Sequence, residues 1–391
     1  MIIGKKGQFG LMNNTEEWIE WRRHLHANPE FGFEEKGTAA FVAKMLRQFG
    51  IDEIAEGIGK TGVVATLRRG TSNKAIGLRA DMDALKIQEA AERDHKSTRP
   101  GLMHACGHDG HTTMLLAAAQ VLAAEGGFDG VVHFIFQPAE EWGKGMQAML
   151  DDGLLDRFPF EEAYGIHNMP GLPLGHFATC SGAFMAAEDN FEIKISGQGG
   201  HAARPHHTND AIVAACSTVL NLQTVVSRTI DPSELSVVSV TELLTDGTRN
   251  ALAGSARILG DCRSFDPKVS QDIECALRRI AEGVCLANGC KAEVTYTREF
   301  VPLVNDADLT VAAKAAAQKV AESHDRVDGN SARIGASEDF ARLLEHVPGN
   351  FMNIGNGDSA PLHSRTYDFN DGALAYGANY LSQLVRGRLS D

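Results

Sequence analysis

The chain has 391 residues, of which 43% are hydrophobic and 23% charged, a globular composition with room for two domains. Its formal net charge of −14 argues against nucleic acid or an anionic membrane as the main partner, because both attract clustered Lys and Arg. The start, MIIGKKGQFGLMNN, lacks the apolar run of a signal peptide, and the apolar stretch 114–124 is too short to span a bilayer. We therefore expect a cytoplasmic protein.

Hydrophobic periodicity predicts helices alternating with strands in the first half of the chain. In chain order, the pattern indicates a helix from Thr15, a helix over 38–49, the strands GVVATL and AIGLRA, a helix from about Thr112 to Glu125, the strand VVHFIF, a helix after Gly143 and a strand around AYGIH. This alternation is typical of an α/β fold with a mostly parallel sheet.

The stretch between Asn190 and Thr297 has a pattern of its own, β-α-β-β-α-β, which indicates a ferredoxin-like unit. Helical segments resume at about Leu309, followed by the strand FMNIG and a final helix after Asp371. We predict a larger domain made of residues 1–185 and 300–391, with a smaller α+β domain, residues 186–299, inserted into it.

The motif HACGHDGH, residues 104–111, has three histidines, one cysteine and one aspartate. It fits three interpretations: a metal site, an activated cysteine nucleophile, or a polar helix entry whose side chains satisfy one another. The chain has seven cysteines without a C-x-x-C pair, which disfavours a disulfide framework and a zinc ribbon. Only Cys106 lies among histidines.

Other polar groups follow predicted strands, where catalytic groups of α/β folds gather. They are Asp81 and Asp83 after AIGLRA, Glu140 and Glu141 in QPAEEWGKG, His167 in AYGIH and His363 in PLHSRTYDFND. Nitrogen, sulfur and carboxylate ligands together suit zinc, manganese, cobalt or nickel better than magnesium or calcium. Such a set is offered by Cys106, His108, Glu141, His167 and His363.

Each of these groups also has a simpler interpretation. A lone cysteine is often a small buried hydrophobe, a histidine at a strand end is readily satisfied by the backbone, and paired glutamates can form a solvated turn. We assign His104 and His111 structural or supporting roles, because ligand histidines commonly rest on such partners.

Taken together, the motifs carry a resemblance to a known family. MHACGHDGH, QPAEE, GIHNMPGLPLG, GQGGHAARPHHTND, GASEDF and PLHS, in this order, make the chain similar to the hippurate hydrolase and indoleacetyl-amino-acid hydrolase branch of the metallo-aminoacylase and carboxypeptidase clan. The resemblance extends from RRHLHANPE to the last helix. It implies a metallo-hydrolase catalytic domain that holds two divalent metal ions (Mn, Zn, Co or Ni), and an inserted lid and dimerisation domain in a homodimer or homotetramer.

The resemblance also implies roles for single residues. The metal ligands would be Cys106, His108, Glu141, His167 and His363, with Cys106 in the bridging place. Glu140 would be the general base, and Asp81 an orienting residue. The chain departs from the wider clan at Cys106, where an aspartate is usual, and at Arg79, where the usual H-x-D has histidine.

The predicted insert contributes three further candidates. His201 follows two glycines after FEIKISG, and the matching histidine of the clan stabilises the oxyanion, often from the partner subunit; the alternative is an ordinary tight turn. Asn250 and Arg263 match the clan's asparagine and carboxylate-binding arginine. From the sequence alone, Arg263 could equally form a surface ion pair.

The resulting hypothesis is metal-dependent hydrolysis of the amide bond of a small N-acyl amino acid, hippurate-like, N-acetyl or indoleacetyl, releasing a carboxylic acid and a free amino acid. An N-acetyl-diaminopimelate deacetylase would share the same ligands. A cysteine hydrolase using Cys106 with His108 or His167 as base leaves Glu141 and His363 without a role. A non-catalytic metal- or peptide-binding protein would have no need of Glu140.

Overall fold

A computed structural model describes residues 15–321 and 323–390. The segment MIIGKKGQFGLMNN, on which the prediction of no signal peptide rests, lies outside the described residues. Among the helices of these two ranges, none is both long enough and apolar enough to cross a membrane.

The α-helices alternate with strands along most of the chain. They are α1 (Thr15–Ala27), α2 (Lys36–Gln48), α3 (His108–Glu125), α4 (Gly145–Asp151), α5 (Leu154–Arg157), α6 (Ala211–Leu222), α7 (Pro267–Ala287), α8 (Ala307–Val320), α9 (Ala341–Leu344) and α10 (Ala373–Arg388). Shorter helical turns of other types occur at Glu140–Trp142, Pro205–His207, Val225–Thr229 and His324–Arg326.

The strands fall into two large sheets and two small ones. They are β1 (Glu53–Ile58), β2 (Gly62–Arg69), β3 (Ala75–Asp81), β4 (Gly130–Gln137), β5 (Glu162–Met169), β6 (Phe177–Ala178), β7 (Gly182–Met185), β8 (Ala187–Ser196), β9 (Gly200–His201), β10 (Ser236–Thr245), β11 (Ala251–Leu252), β12 (Ser255–Ser264), β13 (Lys291–Phe300), β14 (Leu303–Asn305), β15 (Val327–Asp328) and β16 (Gly349–Gly355).

The chain divides into two compact units. The first comprises the described residues up to Gly182 with Val304–Ala332 and those from Arg342 onward, and the second comprises Ala183–Leu303 with Arg333–Ala341. The sequence-based division gave residues 186–299 alone to the insert. The short segment Arg333–Ala341, which contains the GASEDF motif, therefore groups with the second unit and not with its sequence neighbours.

The first unit is built on an eight-stranded sheet with the order β1-β2-β4-β3-β5-β16-β6-β15. Strands β4, β3, β5 and β16 are parallel neighbours, whereas β1 and β2 run antiparallel at one edge. The central strands are buried along almost their whole length, as expected for a sheet covered on both faces.

Helix α3 packs against this sheet and against α1 and α10. Its run TMLLAAAQVLAAE is apolar on nearly every side, and Leu115, Leu116 and Leu122 are fully buried. Burying each of these leucines contributes about 1.5 to 3 kcal/mol. The burial fixes α3 on the sheet and thereby places its first turn, which contains the polar motif.

The second unit contains a four-stranded antiparallel sheet with the order β10-β12-β8-β13. Two helices, α6 and α7, pack on it and begin at the capping carboxylates of Asp210 and Asp266. When only the four strands of this sheet are numbered along the chain, their order in the sheet is second, third, first, fourth. This order is that of the split β-α-β fold, so the predicted ferredoxin-like pattern is confirmed.

The predicted alternation of helices and strands is confirmed, although short elements such as α5, β6, α9 and β15 were not predicted, and two further differences have a clear physical reason. Helix α3 begins at His108, one turn before the predicted start at Thr112, so the prediction that His108 precedes the helix is wrong. The earlier start depends on Gly107, whose φ of 93° lies in the left-handed region that favours glycine. Strand β1 was not predicted, because EIAEGI is an edge strand with little buried surface.

Candidate metal centre

The predicted ligands lie at one edge of the parallel sheet. Strand β3 ends at Asp81, β5 carries His167 near its end, and the turn Glu140–Trp142 follows β4. Carboxyl ends of parallel strands share an edge, so these groups meet although the sequence separates them widely. The first turn of α3 brings His108 to the same edge.

Two sets of ligand-capable side chains overlap at Cys106. One contains Cys106, His108 and His167, and the other contains Cys106, Glu141 and His363; within each set the ligand atoms lie within 4.8 Å of one another. Cys106 Sγ is 3.4 Å from His167 Nε2, and His363 Nε2 is 3.4 Å from Glu141 Oε1. If each set held one ion, Cys106 would be shared by the two ions, which is the bridging place that the resemblance implies for it.

His167 has the hydrogen bonding of a neutral metal ligand. Its Nδ1 lies 2.7 Å from the backbone oxygen of Asn168, to which it donates, so Nε2 is left without a proton and faces Cys106. Burial, together with the neighbouring His111, holds the pKa of His167 well below its usual value. The ring therefore offers a lone pair to a cation.

His108 leaves one buried ring nitrogen without a hydrogen-bond partner among the described residues. Its Nδ1 is 3.2 Å from Asp83 Oδ1, whereas Nε2 lies 3.8 Å from Asp81 Oδ2, 3.8 Å from Glu141 Oε1 and 3.9 Å from Glu140 Oε2. These separations are too long for hydrogen bonds. They leave Nε2 available to an ion, whose positive charge the three carboxylates would stabilise.

The electrostatics of the centre favour a cation. Although burial opposes it, the negative charges of Asp81 and Asp83 raise the pKa of His108 to about 10. The charge of Glu141 acts in the same direction. Carboxylates that stabilise a proton on a buried imidazole also stabilise a divalent ion in its place, and the mixed sulfur, nitrogen and oxygen donors fit such an ion.

The surroundings of Cys106 disfavour its use as a nucleophile. Its side chain is buried, and burial, with the charges of Glu141 and Glu140, raises the pKa of the thiol well above its usual value. A reactive cysteine needs the opposite, an electropositive environment that favours the thiolate. The hypothesis of a cysteine hydrolase therefore loses its physical basis in this chain.

Asp81 is fully buried and held from two sides. Arg79 Nη1 donates to its Oδ2 at 2.9 Å, and His111 Nδ1 donates to its Oδ1 at 2.7 Å. His111 Nε2 in turn accepts from the backbone N–H of Asn168 at 2.9 Å. Because both of its ring nitrogens form hydrogen bonds with protein groups, His111 supports the centre as a partner of Asp81 and not as a metal ligand. His104 is also buried, and burial lowers its pKa to about 3.

The turn that carries the paired glutamates has an unusual backbone. Ala139, which precedes it, has a φ of 46°, in a region that non-glycine residues occupy only where the surroundings enforce it. The enforcing contact comes from Glu35, whose Oε1 accepts from Ala139 N at 2.9 Å. The turn directs Glu141 towards His363 and leaves Glu140, which is 6% exposed, beside His108.

Three supporting residues were not assigned roles from the sequence. Asp83 contacts His108 Nδ1 and accepts from the backbone N–H of Glu141 at 3.1 Å. Behind the ligands, the hydroxyl of Tyr367 donates a hydrogen bond to Asn168 Oδ1 at 2.6 Å. Of the three, only Asp83 could have been given a supporting role from the sequence, because it lies in RADMD directly after a buried strand.

The second unit brings two of its three candidates together. His201 pairs with Ala251 between β9 and β11, and the adjacent Asn250 accepts from the backbone N–H of Ala202 at 3.1 Å. His201 Nδ1 accepts from the backbone N–H of Ala203 at 3.1 Å, so the neutral ring carries its proton on Nε2.

Arg263 is engaged within its own unit. Its guanidinium lies 2.8 Å from Glu188 Oε2 and 2.9 Å from Asp261 Oδ1, and it donates to the hydroxyl of Ser337 at 2.7 Å. The ion pair that the sequence left open is thus present. A role of Arg263 in substrate binding remains a prediction.

A parallel sheet with two overlapping ligand sets at its carboxyl edge, joined to a ferredoxin-like insert, defines the class of metallohydrolases with a two-metal centre. The chain belongs to peptidase family M20/M25/M40, whose family model matches residues 77–387. The predicted family and fold class are therefore confirmed.

Individual relatives cover nearly the whole chain. A hippurate hydrolase of Campylobacter jejuni is 38% identical over 376 residues, 96% of this chain and 97% of the relative. An N-acyl-L-amino acid amidohydrolase of Geobacillus stearothermophilus is 40% identical over 289 residues, 73% of this chain and 77% of the relative. A Bacillus subtilis structure described as a dinuclear metal binding M20 peptidase has a TM-score of 0.84 at 31% identity, covering 96% of this chain and 98% of its own.

Proposed function

We propose that this protein is a metal-dependent amidohydrolase that cleaves the amide bond of small N-acyl amino acids, releasing a carboxylic acid and a free amino acid. The observation that carries the proposal is the sharing of Cys106 by two ligand sets beside the buried Glu140. The relatives named hippurate hydrolase and N-acyl-L-amino acid amidohydrolase support the substrate class.

The two sets would hold two divalent ions, of manganese, zinc, cobalt or nickel. Cys106, Glu141 and His363 would hold one ion, and Cys106, His108 and His167 would hold the other. When bound, the ions supply Lewis-acid chemistry, which polarises a carbonyl and makes water a stronger nucleophile.

Glu140 acts as the general base. Its carboxylate takes the proton of the attacking water and returns it to the nitrogen of the leaving amine, a role that requires a carboxylate beside the reacting atoms. The neighbouring Glu141 points to His363, so one glutamate is a ligand while the other stays available for the proton. Asp81, fixed by Arg79 and His111, acts as an orienting residue of the centre, while Asp83 holds His108 through Nδ1.

The insert, residues 186–299, serves as lid and dimerisation domain in a cytoplasmic homodimer or homotetramer. His201 donates from Nε2 to the oxyanion of the tetrahedral intermediate, and its Nδ1 bond supports this tautomer. Asn250 binds the substrate beside it. Arg263 binds the substrate carboxylate with its planar guanidinium. To do so, it gives up its ion pairs with Glu188 and Asp261.

Metal depletion tests the proposal directly. We would assay N-benzoyl, N-acetyl and indoleacetyl amino acids, with N-acetyl-diaminopimelate as a further arm, before and after chelation and after return of each metal. Hydrolysis is expected to disappear on chelation and to return with at least one divalent ion. Full turnover by protein shown to contain no metal would overturn the proposal.

A further inference from the structure

Asn168 connects two of the proposed ligands, Cys106 and His167. Its backbone oxygen accepts from His167 Nδ1 at 2.7 Å, and its side-chain Nδ2 donates to the backbone oxygen of Cys106 at 2.6 Å. His167 lies at the end of β5, whereas Cys106 lies in the loop before α3. One residue therefore fixes both a ligand ring and a ligand backbone that come from different elements.

The turn between Cys106 and His108 is shaped to receive this side chain. A Cβ at Gly107 would lie 2.3 Å from Asn168 Nδ2 and 2.5 Å from the hydroxyl of Tyr367, so a side chain here would displace both groups. The missing Cβ lets the amide and the phenol pack directly beneath the ligand-bearing turn. Glycine in the CGH motif thus has a second use besides its left-handed φ of 93°.

The orientation of the Asn168 amide is fixed by its partners. Tyr367 donates its hydroxyl proton to Asn168 Oδ1 at 2.6 Å, which turns Nδ2 towards the carbonyl of Cys106. The backbone N–H of Asn168 donates to His111 Nε2 at 2.9 Å, and His111 holds Asp81. A carboxylate at position 168 could still accept from Tyr367 but could not donate to Cys106.

We propose that Asn168 is a positioning residue that sets Cys106 and His167 at the separation needed to share an ion, with Tyr367 fixing the orientation of its amide. The inference rests on the proposed function, because it concerns the same two-metal centre. Asn168 itself is not a ligand, since its amide nitrogen and oxygen are both engaged with protein partners.

Cobalt binding gives a readout that is independent of turnover. Metal-depleted protein would be titrated with Co²⁺ while the near-ultraviolet charge-transfer band of the Cys106 thiolate is recorded. We expect Asn168→Asp to weaken cobalt binding by about 10 to 100-fold and to shift or diminish the band, as loss of a partner behind a ligand generally does. Tyr367→Phe should weaken cobalt binding by a smaller factor. The double variant should weaken it by less than the product of the two single factors, because both residues act through the same amide.

A matched control separates positioning from general destabilisation. Asn350 is also buried in the first unit, and its Nδ2 donates to the hydroxyls of Thr179 and Thr310 at 3.1 and 3.0 Å. Asn350→Asp should lower the free energy of unfolding while cobalt affinity and the thiolate band stay at their unmodified values. Equal weakening of cobalt binding by this control would overturn the inference.

The remaining outcomes are also decisive. Unmodified cobalt affinity and spectrum in Asn168→Asp and Tyr367→Phe would refute the positioning role while the proposed function stands. Should Asn168→Asp fail to fold, Tyr367→Phe decides alone, because it removes only one oxygen atom. Failure of the unmodified protein to bind cobalt would instead refute the two-metal centre and with it the proposed function.

Discussion

The paired glutamates allow the base and the ligand to be separated by two isosteric substitutions. Glu140→Gln removes a carboxylate that belongs to neither of the ligand sets centred on Cys106, so each set keeps three side chains. Glu141→Gln leaves Cys106 and His363 as a pair and does not change the set of Cys106, His108 and His167. We expect two ions per chain in Glu140→Gln and about one in Glu141→Gln.

The loss of turnover follows from the burial of Glu140. Loss of a general base typically costs 10²- to 10⁴-fold in rate. Because Glu140 is only 6% exposed, bulk water has little access to replace it, and we expect about 10³-fold, which corresponds to about 4 kcal/mol of transition-state stabilisation. Glutamine keeps the size of the side chain, so the free energy of unfolding should change little.

The assay combines elemental analysis of dialysed protein with initial rates of glycine release from N-benzoylglycine. Turnover by Glu140→Gln within a few-fold of the unmodified rate would show that another group takes the proton. Two ions retained by Glu141→Gln would show that Glu141 is not a ligand. Either result contradicts the division of roles between the two residues.

Three further predictions concern other parts of the chain. Burial and the charges of Glu141 and Glu140 raise the pKa of Cys106, so metal-depleted protein should be alkylated slowly at neutral pH and faster as pH rises; rapid labelling at pH about 7 in a mass-spectrometric time course would contradict this. His201→Ala should retain metal and lose about a hundredfold in turnover. Subunit exchange with Glu140→Gln should restore part of that activity, and no recovery despite proven exchange would mean that His201 acts within its own chain. Burial raises the pKa of Glu35 from 4.5 to about 7, so the stability it contributes is present below pH 4.5 and is lost as pH rises to about 7, by about 3 kcal/mol in all. Denaturant unfolding across this range should show a flatter profile for Glu35→Gln, and parallel profiles would refute the assignment.

The sequence by itself determined the order of elements and the chemistry available to the site. Apolar runs and helical periodicity identified the parallel sheet and the β-α-β-β-α-β insert, because both patterns depend on local burial. The placing of Asp81, Glu140 and His167 after strands was enough to predict that they meet at one edge, since parallel strands align their carboxyl ends.

Only the tertiary structure decided which neighbours each polar group has. His104 and His111 belong to the same motif, but their surroundings differ. His111 forms hydrogen bonds with Asp81 and Asn168, whereas His104 is chiefly affected by its burial, which lowers its pKa to about 3. Arg263 pairs with Glu188, 75 positions away in sequence, whereas the sequence alone left an ion pair and substrate binding equally open. Hydrogen bonds and ion pairs act over about 3 to 4 Å, and the partners found at that range come from distant segments that no local pattern specifies.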